Sequence, residues 1–135
     1  PEEIAKAGDP YPDQCTLTAQ ALRRELGIEN LDSVLCFQSR VGPMKWIGPS
    51  TEDEVRRAGH DKVPLVVVPI AFVSDHSETL VEIDIKYRAL ALRSGAPFFS
   101  RVPAVGAAPD FIDSLVQIVR DVRTQKNDCL CLQGG

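Results

Sequence analysis

The sequence predicts an α/β domain built on a parallel sheet, and three observations carry that expectation. The run Leu65-Val66-Val67-Val68-Pro69-Ile70 is apolar with no polar alternation, as strands covered on both faces read. Helical periodicities alternate with short strand-like runs in the order αβαβαβα, which calls for crossover helices between parallel strands. The first of those helices has no strand before it to return from, so the first strand of the domain is expected to be missing.

Taken in order, residues 1–12 read as a polar entry in which the prolines flanking Tyr11 hold Gly8-Asp9-Pro10-Tyr11-Pro12 as an extended loop. Residues 13–26 read as a covering helix with Leu17, Ala21 and Leu22 inward, stopped by Gly27. Residues 33–38 form a second strand-like run, and residues 39–50 a loop too rich in Gly, Pro and aromatic character to be a plain connector. Ser50 or Thr51 caps a short helix whose positive end suits Glu52, Asp53 and Glu54. After the central strand, residues 77–93 place Leu80, Ile83, Tyr87 and Leu90 at helical spacing, ending at Gly95. Residues 98–102 make a third strand. A last helix opens at Pro109 and buries Phe111, Leu115, Ile118, Val119 and Val122. Residues 1–126 are read as one domain and 127–135 as a flexible tail, since its polar flanks offer nothing to pack.

Composition excludes several classes. A net charge of −4 does not suit a phosphate-binding surface, so no nucleic-acid partner is expected. No stretch approaches the roughly 18 apolar residues of a spanning helix, and Pro1-Glu2-Glu3 is the reverse of a secretory signal. A cytoplasmic protein, peripheral to membranes at most, is the expectation. Cys15 and Cys36 sit in apolar patterns and read as reduced core thiols. The chain begins without Met and is taken as a fragment.

Ligands in open α/β sheets bind beyond the carboxyl ends of strands, and there the central run leads into Ser74-Asp75-His76-Ser77-Glu78. Asp75 and Glu78 fit a capping box, which would make both acids helix furniture. Glu82 and Lys86 would then be an ordinary exposed i, i+4 pair. Yet Glu78 and Glu82 lie one turn apart on one face, where like charges repel mildly unless a cation or a shared proton offsets them. With His76 beside them, the set His76, Glu78 and Glu82 is a candidate for proton transfer or transient metal contact.

Three segments then carry a resemblance: Gly8-Asp9-Pro10-Tyr11-Pro12; Gln38-Ser39-Arg40-Val41-Gly42-Pro43-Met44-Lys45-Trp46-Ile47-Gly48-Pro49; and Pro69-Ile70-Ala71-Phe72-Val73-Ser74-Asp75-His76-Ser77-Glu78-Thr79-Leu80 with Glu82-Ile83-Asp84. In this order they resemble ferrochelatase, the family that inserts ferrous iron into protoporphyrin IX to form haem. The match runs over nearly the whole chain as that family's carboxyl-terminal half. It implies a Rossmann-like, chelatase-type three-layer domain facing an amino-terminal half across the porphyrin cleft. Pro1 matches the proline of a family Ser-Ala-His-x-Leu-Pro motif, so the preceding strand and its histidine are expected to be absent here. By the same resemblance His76 and Glu78 contact the metal, Glu82 continues an acidic row, and Trp46, Phe72 and Met44 line the porphyrin pocket. Lys86 departs from the family, standing where many members carry a further acid. Some members hold a [2Fe-2S] cluster. Cys129-Leu130-Cys131 resembles part of its ligand set, but four ligands are needed and no suitable further cysteine follows, so no cluster is expected.

Ferrous iron and protoporphyrin IX are therefore the expected substrates, with no insertion activity from these residues alone. Two other readings stand beside this one: a cobalt or nickel chelatase acting on a corrin-type tetrapyrrole, and a non-catalytic tetrapyrrole-binding module.

Overall fold

The computed structural model describes residues 1–124, which fall in two compact units, Pro1–Ala104 and one beginning at Val105. The predicted tail, with Cys129 and Cys131, lies outside the described residues. The elements are α1 (Glu2–Lys6), α2 (Tyr11–Leu26), α3 (Thr51–His60), β1 (Leu65–Val67), a π-helix (Glu78–Tyr87), α4 (Arg88–Ser94), β2 (Phe99–Arg101) and α5 (Pro109–Thr124). β1 and β2 pair in parallel, Leu65 opposite Phe99 and Val67 opposite Arg101. The α/β class with a parallel sheet is therefore as expected. No helix among the described residues is long and apolar enough to cross a membrane.

In the first unit the core joins α3, the π-helix, α4 and β2 through Val55, Ile83, Leu90, Ala91 and Phe99, with Leu65, Val67 and Tyr87 against them. Burying such side chains supplies roughly 1.5–3 kcal/mol each before entropy is counted, so this cluster dominates the unit's packing. Helices α3 and α4 meet backbone to backbone at Gly59. A Cβ added there would fall on Ser94 Cβ and lie 2.9 Å from the Ser94 carbonyl carbon. Gly95 follows at φ 108, a left-handed helix stop that any side chain would strain.

Several elements differ from the sequence reading, each for a local reason. Residues 2–6, read only as a polar entry, form a helix, because Glu2 and Glu3 sit at the positive end and Lys6 pairs with Glu2 at 2.8 Å. Pro12 is not a loop brace but lies in the first turn of α2, where a missing N–H costs nothing. In α2, Cys15 is buried and Leu17 is 64% exposed, so the inward face is rotated from the one expected.

Among the described residues the run 33–38 makes one bridge, Phe37 with Ser50. Its partner edge stops there, since Pro49 has no N–H and Ser50 already caps α3 by accepting a 3.0 Å bond from Asp53 N–H. β1 ends at Val67, three residues early. The chain turns where Ile70 N–H meets the Val68 carbonyl at 2.9 Å, and Val66 is 57% exposed rather than covered on both faces. Helix 77–93 begins as a π-helix. The wider turn rotates Leu80 outward, 47% exposed, and brings fully buried Thr79 in its place, while Ile83 and Leu90 keep their inward positions. In the second unit, α5 forms as expected, but its apolar stripe of Leu115, Ile118, Val119 and Val122 is exposed.

Candidate active site

The chain leaving β1 folds back at buried Pro69, where the Phe72 N–H reaches the Pro69 carbonyl at 3.1 Å, and this brings Phe72 beside His76. Their rings meet edge to face at 4.7 Å between centroids. Thr79 fixes the histidine's backbone twice over. Its Oγ1 accepts from His76 N–H at 2.9 Å and donates to the His76 carbonyl at 3.0 Å. The His76 carbonyl also accepts from Thr79 and Leu80 N–H at 3.0 and 2.8 Å. The imidazole turns inward as well, with Nδ1 accepting the Glu78 N–H at 3.1 Å. The first helical N–H groups are thus satisfied by His76 itself.

That arrangement overturns the capping-box reading of Asp75. Its carboxylate turns away from the helix, and Oδ1 takes a 2.8 Å bond from Arg101 Nη1. The same guanidinium grips Asp84 with both arms, Nε to Oδ1 and Nη2 to Oδ2 at 2.9 Å each. These bonds hold the Asp84 carboxyl below the usual carboxylate range. The Arg101 side chain is 7% exposed, and three of its donors go to carboxylates.

Glu78 and Glu82 stand half-buried, four residues apart on the π-helix. Gln38 lies across them: its Nε2 donates to Glu82 Oε2 at 3.1 Å and to the Glu78 carbonyl at 3.2 Å. Lys86 is exposed, and Glu82 makes no ion pair among the described residues. Beside Glu82 opens a cavity of about 410 Å³ walled by Ser39, Arg40, Glu52 and Tyr87. Burial pushes the Tyr87 hydroxyl up to about 12, helped by the carboxylates of Glu82 and Glu52. Ser39 holds φ 62, and its buried Oγ has no partner among the described residues.

Of the residues singled out in the sequence, the structure therefore gathers Phe72, His76, Glu78 and Glu82 on one continuous segment. Trp46 and Met44 belong to a different loop. Trp46 Nε1 donates to the Val41 carbonyl at 3.2 Å, and its ring lines a cavity of about 530 Å³ with Glu2, Pro12, Phe37 and Ile47. Neither Phe72 nor His76 lines that cavity, and Met44 is exposed. Sequence reasoning passed over Gln38, Thr79 and Arg101. Two had a signal: Gln38 is the polar end of an apolar run, and Arg101 is a charge inside a short apolar strand.

Among the described residues no group of three or more His, Cys, Asp or Glu side chains could hold a metal ion. Cys15 and Cys36 are free thiols, the first buried and the second half-buried, where burial raises the Cys36 pKa.

A parallel α/β framework with a histidine just before, and two carboxylates on, the helix that follows a strand end fits an α/β domain of the chelatase type. The family model for ferrochelatase matches residues 1–123. Curated ferrochelatases resemble the chain closely: that of Caulobacter vibrioides (strain NA1000 / CB15N) is 52% identical over 121 residues, covering 90% of this chain and 35% of that protein. Those of Pelagibacter ubique and Rickettsia conorii are 49% and 48% identical over 119 residues, covering 88% of this chain and 35% and 34% of theirs. The chain belongs to the ferrochelatase family. It spans about a third of the length of the curated relatives it matches.

Proposed function

We propose that these residues form the metal-insertion side of an active site that places ferrous iron in protoporphyrin IX, releasing protohaem, within an enzyme whose amino-terminal half supplies the facing wall. The observation that carries this reading is the continuous segment from Phe72 to Glu82, which sets an aromatic ring, an imidazole and two half-buried carboxylates side by side. Iron entering the macrocycle displaces two pyrrole protons, so the site needs both a place for the ion and acceptors for protons. Glu78 and Glu82 provide the acceptors. Gln38 occupies one oxygen of Glu82 and leaves the other open.

His76 has a more restricted part. With Nδ1 accepting the Glu78 N–H, the neutral ring carries its proton on Nε2. An ion can take the Nε2 lone pair only if that proton moves to Nδ1, which breaks the bond to the helix start. Arrival of the metal at His76 is thereby coupled to the first turn of the π-helix. Phe72 supports the imidazole edge, and Trp46 and Met44 complete the apolar wall once their loop and the segment face the same macrocycle.

The test is metallation of protoporphyrin IX by ferrous iron in a full-length ferrochelatase carrying this sequence, followed by porphyrin absorption. Turnover supports the reading. Activity confined to cobalt or nickel with a corrin-type ring, or binding with no metal-dependent spectral change, overturns it.

A further inference from the structure

We propose that Arg101 is a positioning residue for this reaction, setting where His76 and the two carboxylates stand; the inference rests on the reading of the site just given. The guanidinium reaches both ends of the segment that bears the site. Asp75, the residue before His76, is held at 2.8 Å, and Asp84, two residues after Glu82, is held by a two-pronged pair at 2.9 Å. A fourth bond, Nη1 to the Val102 carbonyl at 3.1 Å, fixes the side chain to its own strand. Arg101 closes the register of β2 opposite Val67, the last residue of β1, and Val102 N–H donates to the Val67 carbonyl at 2.9 Å. The strand that leads into the site and the helix that carries it are thus tied to one planar fork.

A charge this buried costs free energy unless it is fully paired, so its retention in the fold calls for a use. Anchoring of the helix alone is not that use, because Arg88 already supplies it. Arg88 Nε donates to the Asp84 carbonyl at 3.1 Å, Nη1 to the Phe99 carbonyl at 3.2 Å, and its guanidinium lies 5.3 Å from the centre of the Phe99 ring. Without Arg101 the later turns remain docked, whereas Asp75 keeps one long bond from Ala104 N–H at 3.5 Å. The freedom gained would appear at His76 and Glu78. Lysine cannot replace the fork, since it presents a point charge without paired planar donors.

The experiment compares Arg101→Lys, Arg101→Ala and Asp75→Ala with wild type in a full-length ferrochelatase carrying this sequence, assayed with protoporphyrin IX and ferrous iron at temperatures where circular dichroism shows each variant folded. Arg101→Lys and Arg101→Ala should lower kcat about 100-fold, as misplacement near 1 Å does, with KM for the porphyrin changed less than about threefold. Asp75→Ala leaves the Asp84 pair intact and should lower kcat in the same sense. Adding it to Arg101→Ala should cost little more. If the Arg101 variants fail to fold, Asp75→Ala decides alone. Wild-type kcat in Arg101→Lys or Asp75→Ala, or a loss confined to KM, would overturn the inference. Absence of turnover in the wild type would instead overturn the reading on which it rests.

Discussion

Replacing Gly59 by Ala should destabilise the protein although alanine is the better helix former. The added Cβ would fall on Ser94 Cβ, 2.9 Å from the Ser94 carbonyl carbon and 3.1 Å from its Cα. Carbon atoms pack at about 3.5–4.0 Å, so α3 and α4 must part by at least about 0.6 Å. The obstacle is Ser94 Cβ and the backbone beside it, with no flexible chain end to swing aside. Overpacking of this kind costs about 1–3 kcal/mol, and the helix preference for Ala returns at most about 1 kcal/mol. Because Gly59 is the next-to-last residue of α3, only part of that return applies, and a net loss of about 1–2 kcal/mol is expected. Urea unfolding should show a lower midpoint at unchanged slope. Ser94→Gly in the same chain should recover part of the loss by removing the nearest atom, giving a double variant less destabilised than the sum of the singles. An unchanged or raised midpoint, or strict additivity, would refute the steric argument.

Glu78→Gln in the full-length enzyme should lower kcat much more than porphyrin affinity, since it keeps shape and removes the charge proposed to take a proton or meet iron; equal turnover would return Glu78 to a plain helix position. Gln38→Leu should free Glu82 and reduce kcat by about tenfold, with steady-state kinetics as the check and unaltered kcat as the contrary result. Acid sensitivity follows from Asp84, whose native pKa is depressed: its contribution is present above the unfolded value of about 4 and disappears as pH falls through the lower native one. Unfolding of Asp84→Asn between pH 5 and 2 should therefore fall less steeply than wild type, and parallel curves would contradict the pairing. The 135 residues alone should not metallate protoporphyrin; measured turnover would show that the facing half is dispensable.

How far the sequence disclosed this arrangement depended on where the decisive interaction lay. The cap at Ser50, the stop at Gly95 and the start at Pro109 are local, and they stand where turn and helix chemistry put them. The continuous segment from Phe72 to Glu82 was equally legible, since residues adjacent in sequence need no tertiary knowledge to be adjacent in space. The capping box weighed for Asp75 failed for the complementary reason. A capping box is a local pattern, but Arg101 lies 26 residues away and outcompetes the backbone with a charge-assisted bond. The π-helix was equally hidden: apolar residues spaced three and four apart cannot register a wider turn, and only Leu80 facing outward reveals it. Gln38 acts 44 residues from its carboxylate, beyond any spacing rule.

The two-stranded sheet has a practical consequence. Among the described residues β1 and β2 pair only with each other, so each leaves one edge of N–H and C=O groups open, next to exposed Val66 and Val68. Open apolar edges recruit further strands, and short parallel pairs do little to resist. A preparation of these residues by themselves would be drawn toward self-association at working concentrations. Its silence in an activity assay then has two sources, lost chemistry and lost solubility. Light scattering on the same sample separates them: only a monodisperse, inactive preparation speaks to the chemistry.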